Sequence, residues 1–254
     1  MVKRSMALEN VLLVVAAPFI GSFLGVVAER WPKGKQFVLD RSRCPHCQHV
    51  LSPRDLVPLL SWLATRARCR YCGACLSLRY PAVEVAALMV AVWAVMVLPV
   101  GLSWVSVLFG WTLLTLALLD FKALWLPRVL TWPLAVAGLL VTGLWNERFP
   151  VDQAIGAVAG YVLMVLVAHV YRRYRGRQGL GEGDAHLFCA LGAWVGWPGL
   201  PSVLLFAGVS GLLSVLMGML ADRRIGWTTR MPFGPYLCIG GWLVWLYGPL
   251  YFEW

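Results

Sequence analysis

From residue 81 onward the chain is a succession of apolar runs separated by short polar loops, and this constrains its fold more than any other feature. A run of about 20 apolar residues crosses the ~30 Å hydrocarbon core as a helix. Only a helix, or a closed barrel, satisfies its own backbone there. Runs are read near 82–98, 102–119, 129–145, 153–171, 186–198, 202–220 and 234–252, preceded by one from about 11 to 28. The run at 186–198 is the shortest and holds Gly192 and Gly196; it is tilted, re-entrant or continuous with the next run across Pro198 and Pro201. The expected fold class is an all-α polytopic membrane protein with about eight transmembrane helices, or six or seven if the short run does not cross. Composition agrees: 60% of residues are hydrophobic and 13% charged, whereas a soluble domain carries about a quarter charged residues. The charged start of the first run resembles a signal peptide, but no small-x-small cleavage site closes it, so it reads as a retained span.

The net charge of +10 resides mainly in loops. With eight spans, loops 29–80, 120–128, 172–185 and 221–233 share one side and hold 19 of the 22 Lys and Arg residues. The positive-inside rule makes that side the cytoplasm. Lys3 and Arg4 argue the other way, but ten basic residues just after the same span outweigh them. The partner implied by this charge is the anionic face of a lipid bilayer, not nucleic acid. The same topology brings together two acids distant along the chain. Asp120, in LLTLALLDFKALWLP, ends a span running toward the cytoplasm, and Asp184, in GLGEGDAHLFCALGAW, begins one leaving it. Both therefore fall at one membrane depth on one face.

Three regions follow: a first transmembrane segment at 1–28, a cysteine-rich cytoplasmic domain at 29–80 and a transmembrane core at 81–254. The middle region holds five of the seven cysteines and no long apolar run. It is too small to build an adequate hydrophobic core alone. Cys44, Cys47, Cys69 and Cys72 form two C-x2-C pairs with 21 residues between them. Such pairs place four thiolates around a tetrahedral zinc ion, and the metal supplies folding free energy that the core lacks. Two disulfides are the competing arrangement, which a reducing cytoplasm disfavours. Cys75 and His46 are alternative ligands, though the pairing favours Cys72. Cys189 and Cys238 lie in apolar runs and read as packing residues.

Two carboxylates a few ångströms apart cannot both ionise easily, so they share a proton. One then serves as base toward water and the other as acid toward a peptide carbonyl or leaving amine. That is aspartic-protease chemistry, with Asp120 and Asp184 as catalytic candidates. Glycines 181 and 183 allow a tight turn and close approach of a peptide backbone. The residues alone also permit a plainer role, with both acids as interfacial caps, since Asp is a favoured N-cap. Helix-end dipoles predict that Asp120, at a C-terminus, holds the shared proton, and that Asp184, at an N-terminus, is the base. Glu182 and Asp222 read as solvated loop charges.

These segments resemble the type IV prepilin peptidase family, membrane aspartic proteases of the GxGD type. The likeness runs through GSFLGVVAERWP at 21–32, CPHC at 44–47, DLVPLLSWLATRARCRYCGACLSLRYPAVE, LLDFKALWLPRVLTWP, GLGEGDAHL and MPFGPYL at 231–237. The resemblance implies cleavage of short basic leader peptides from type IV prepilins or type II secretion pseudopilins at the cytoplasmic face of the bacterial inner membrane, between a Gly and a Phe. It also implies N-methylation of the new N terminus with S-adenosylmethionine. By the same resemblance Asp120 and Asp184 are catalytic and the four paired cysteines bind zinc. Gly25 stands where the family usually has Asn, Arg128 where it has an acid, and His186 where it has Lys. No motif fixes a methyl-donor pocket; Glu29, Arg79 and Glu84 are polar residues near the domain boundary that equally serve as interface anchors.

Two other readings stand beside this one. An intramembrane protease would cut within lipid-embedded helices, but acids near the interface favour a juxtamembrane leader. A transporter or membrane scaffold with a structural zinc module would use the same small residues (Gly156, Gly160, Gly208 and Gly211) to pack its helices.

Overall fold

The computed structural model describes residues 2–36, 40–146, 150–176, 181–221 and 231–250. Among these, nine α-helices run in order: α1 Val2–Arg30, α2 Leu60–Ala64, α3 Arg79–Val97, α4 Val100–Ala123, α5 Arg128–Asn146, α6 Val151–Arg175, α7 Glu182–Val195, α8 Leu200–Leu220 and α9 Gly234–Tyr247. Eight of them correspond to the eight apolar runs, and the described residues form no sheet. The fold is an all-α multi-pass membrane protein. Six helical stretches are long and apolar enough to cross a bilayer: Glu9–Lys33, Arg79–Val97, Gly101–Ala123, Arg128–Trp145, Val151–Arg175 and Trp197–Leu220.

The other two, α7 and α9, have 14 residues each. At 1.5 Å per residue each is ~21 Å long, short of the ~30 Å core. The expected run 234–252 is thus cut back, ending at Tyr247 where Gly248 adopts φ 80°. The reason α7 is short and apolar all round lies in its surroundings. It packs against α5, α6 and α9, and Leu187, Phe188, Ala190 and Leu191 are wholly buried. A helix apolar on every side belongs inside a bundle. By contrast α6 and α8 present Val158, Val162, Leu212 and Leu216 outward, the surface that lipid covers.

The chain divides into two compact units, residues 1–115 and 116–254, with the boundary inside α4. In the first, α1 and α3 pack together, Trp111 of α4 donates its indole N–H to Ala87 O at 3.0 Å, and the cysteine segment lies between α1 and α3 in sequence. In the second, α6 and α7 approach closely at glycines. A Cβ on Gly192 would strike the Gly156 carbonyl, and one on Gly160 would sit 2.8 Å from Phe188 O. Gly156 and Gly160 therefore pack helices as expected. Gly208 does not, since a Cβ there would meet open space.

Gly192→Ala is expected to destabilise the second unit by about 1–3 kcal/mol through overpacking, while Gly208→Ala stays within ~0.5 kcal/mol of the parent. Thermal unfolding in detergent reads both; equal effects would contradict the close approach.

Candidate functional site

Asp120 and Asp184 are both in the second unit and are its two buried acids among the described residues, only 6% and 7% exposed. Asp120 stands on the last turn of α4, three residues before its end, inside the helix where the sequence placed it at the end. Asp184 is likewise inside α7, at its third residue; Gly181 takes the N-cap position expected of Asp184. Its Oδ2 reaches back to accept the Gly181 N–H at 3.1 Å. Gly183 faces Leu126, where a Cβ would lie 2.7 Å from the leucine Cβ, so glycine at 183 is a packing requirement as well as a turn preference.

No local pattern assigns a physical role to the stretch at 231–237. In the structure Gly234, the first residue of α9, donates its N–H to Asp120 Oδ2 at 2.9 Å. Any side chain at 234 would collide with that carboxylate, since a Cβ would sit 2.7 Å from Oδ2. The 114 positions between the partners explain why no local pattern shows this contact. The charges of Asp120 and Asp184 both reach the thiol of Cys238, one turn further along α9. Cys238 is buried, a packing residue as expected, though it packs beside the acids.

Asp184 lies outside the six membrane-length helices. Burial first, and then the nearby Asp120 charge, lift its carboxyl to about 6, against the opposing Gly181 N–H. Asp120 meanwhile accepts an N–H at the N-terminus of α9, where a helix dipole favours negative charge. This second helix overrides the argument from α4 alone. Each acid thus accepts one N–H at a helix N-terminus, Asp184 from Gly181 and Asp120 from Gly234, so the dipole of α4 alone does not assign the shared proton.

Glu182 is exposed and pairs with Arg128 at 3.1 Å, a solvated ion pair as expected. His186 lies against the rings of Trp132 and Tyr161, at 5.7 and 5.4 Å between centroids. Asp222 falls outside the described residues.

In the first unit the four paired cysteines converge, with their sulfurs all within 4.8 Å of one another. Two turns of the same form bring them there. Gln48 N–H donates to Cys44 O at 2.9 Å and Gly73 N–H to Cys69 O at 2.9 Å, and both turn residues have positive φ, 58° and 71°. Each turn is closed by a single bridge, Arg43 with Val50 and Arg68 with Cys75. Cys75 thus occupies the place of Val50 and lies outside the four-sulfur group, as does His46. All seven cysteines are unbridged, so the disulfide arrangement is absent. Cys44 and Cys72 sulfurs are 3.9 Å apart; a tetrahedron of sulfurs about 2.3 Å from its centre has edges of about 3.8 Å. The cluster can hold a metal ion.

Residues 15–98 match the family described as Bacterial Peptidase A24 N-terminal domain, and residues 107–216 match the Type IV leader peptidase family. A prepilin leader peptidase/N-methyltransferase of Aeromonas hydrophila is 35% identical over 268 residues, covering 96% of this chain and 92% of the relative. The chain belongs to the type IV leader peptidase family. Members with the same description from Dickeya chrysanthemi and Pseudomonas aeruginosa are 36% and 34% identical, covering 90% of this chain and 89% and 87% of theirs. No solved structure matches the chain. Family membership disposes of the transporter and scaffold readings.

Proposed function

We propose that this protein cleaves the basic leader peptides of type IV prepilins or type II secretion pseudopilins and then N-methylates the exposed N-terminal residue. The reading is supported most directly by one observation: two buried carboxylates whose charges act on each other, held by backbone N–H groups of Gly181 and Gly234. Family membership and the names of its relatives point the same way. We further propose the inner membrane as its location, with the basic loops on the cytoplasmic side, and a division into a first span (1–28), a zinc domain (29–80) and a peptidase core (81–254).

Cleavage follows from the dyad. Ionised Asp120 takes a proton from a water molecule as its oxygen attacks the scissile carbonyl carbon. Protonated Asp184 gives its proton to the carbonyl oxygen, forming a neutral tetrahedral diol. In its collapse the C–N bond breaks, the leaving nitrogen gains a proton from one carboxyl, a diol hydroxyl gives its proton to the other, and the two carboxyls again share one proton. No nucleophilic side chain is required. In the second reaction S-adenosylmethionine would supply an electrophilic methyl group, whose S–C bond breaks as the new N-terminal amine bonds the carbon, with the neutral thioether leaving and the amine losing a proton.

The four-cysteine cluster fits zinc in ligand type, number and spacing. Cys44, Cys47, Cys69 and Cys72 would hold the ion, and its part is structural, closing the two turns of a segment with little core.

Asp120→Asn and Asp184→Asn are each expected to lower kcat for leader cleavage by about 10²–10⁴-fold, while methylation of a pre-cleaved peptide persists. Mass measurement of the product separates the two, and cleavage surviving in either variant would sink the dyad. For the metal, Cys72→Ser is expected to reduce bound zinc well below one ion per chain and to make the 40–80 segment protease-sensitive, read by elemental analysis and limited proteolysis. Undiminished zinc content would contradict the assignment.

A further inference from the structure

Eight of the nine described helices come from the apolar runs; the ninth, α2, lies in the cysteine segment and is five residues long, Leu60–Ala64. Its two faces are inverted relative to a helix in water. Ser61 and Trp62 of α2, with Thr65 just after it, line a cavity that α1, α3 and the cysteine segment enclose. Leu60 and Leu63 lie outside that lining and are 65% and 63% exposed. Residues three apart share one helix face. A helix standing in water turns its apolar face inward and its polar face outward; α2 does the opposite.

The place where α2 is held accounts for the inversion. Leu59, the residue before it, donates its N–H to Glu84 Oε2 at 2.8 Å. Glu84 lies in the second turn of α3, five residues past Arg79, where the stretch long and apolar enough to cross a bilayer begins. At 1.5 Å per residue this is ~7.5 Å along the helix. Glu84 also accepts the Ser22 hydroxyl, and Ser22 is inside the corresponding stretch of α1, Glu9–Lys33. Gly21 allows this approach, since a Cβ there would lie 2.7 Å from Glu84 Cα. The chain turns into α2 at Leu59 with φ 58°, which a bulky residue rarely adopts, so the Glu84 bond pins a costly turn. Helix α2 is thus tied to the α1–α3 pair beside the ends of their crossing stretches. Amphipathic helices that lie in a membrane surface bury their apolar face about 5–10 Å into the headgroup and acyl boundary, and the depth of Glu84 along α3 falls in that range.

Charge points to the same surface. Residues 41–80 hold seven arginines and one acid, Asp55. Asp55 pairs with Arg70 at 3.3 Å, and none of the other six takes part in a described ion pair. Arg54, in the 3-10 turn Pro53–Leu56 before α2, and Arg66, two residues after its end, are both exposed. An acidic protein in water would satisfy these arginines but not the leucines, and a neutral lipid would satisfy the leucines alone. An anionic bilayer surface satisfies both.

We propose that α2 is seated in the surface of an anionic bilayer, with Leu60 and Leu63 among the acyl chains and Arg54 and Arg66 on lipid phosphates. The cysteine segment is then fastened to the membrane at a second place, besides its joins to α1 and α3. The inference is independent of both reactions proposed above.

The test uses the full chain, loaded with zinc, in nanodiscs holding equal amounts of phosphatidylglycerol and phosphatidylcholine. A benzophenone amino acid replaces Leu63, or Leu60 in a second preparation. After photoactivation, mass measurement of the labelled peptide identifies what the probe has bonded. Zinc content and leader cleavage report whether each preparation is folded; if one loses them, the other position decides. Lipid adducts are expected from both positions, with phosphatidylglycerol favoured about threefold or more. Adding Arg54→Gln and Arg66→Gln to the chain labelled at 63 is expected to keep the lipid adducts and bring that preference down to near parity. In folded protein, a probe that bonds a second copy of the chain or an added prepilin peptide in place of lipid overturns the proposal, and so does a probe that bonds nothing. Equal capture of the two lipids by the chain with both arginines, or a preference that survives their loss, overturns it as well.

Discussion

Burying two acids side by side in an apolar helix bundle is the interaction on which the second unit depends. Each carboxylate loses hydration, and each raises the cost of ionising the other. The structure offsets this with few groups. Gly181 and Gly234 each donate one backbone N–H, and in the proposed reading a proton shared by the pair removes one of the two charges. Both glycines come from helix N-termini, so the dipoles of α7 and α9 act on the same small region. The bundle around them is shaped to permit this. Helix α7 is surrounded by other helices and sealed by leucine, phenylalanine and alanine, which keeps the acids dry. Glycine at 183 leaves room for Leu126, and glycine at 234 leaves room for Asp120 itself. A side chain at either position would push on the group that the helices exist to hold.

The first unit solves a different problem. Its cysteine segment has one short helix and two isolated bridges, far too little regular structure to order itself by burial. Four sulfurs lie within 4.8 Å of one another and could hold a metal ion, and the turns that present them are near copies. Glu84 then ties the segment to α3 through the Leu59 N–H.

Much of this was legible in the sequence because it is carried by local patterns. Apolar runs of span length locate eight helices, and paired cysteines at short spacing announce a tetrahedral site. Alternating span direction also predicted that Asp120 and Asp184 share one face, and in the structure both are buried and the Asp120 charge acts on Asp184. What the sequence withheld depends on contacts between distant segments. Run length announced a short α7 but not a short α9, because a helix enclosed by helices is as apolar as one in lipid. Asp184 read as a cap because nothing local shows the helix beginning at Glu182. The proton assignment considered the dipole of α4 and had no means of seeing α9 arrive with the Gly234 N–H.

The central claim is that one proton is divided between Asp120 and Asp184, and the pH dependence of leader cleavage by the unmodified protein tests it most directly. With Asp184 lifted to about 6, kcat/KM should follow a bell. The alkaline limb appears as pH rises through and beyond about 6, when the pair loses its proton. The acid limb appears at lower pH, when the pair takes up a second one. These apparent values belong to the pair, not to either residue. A profile flat from pH 4 to 9, or one with a single limb, would mean that the acids do not share a proton, and the account of the site would fail.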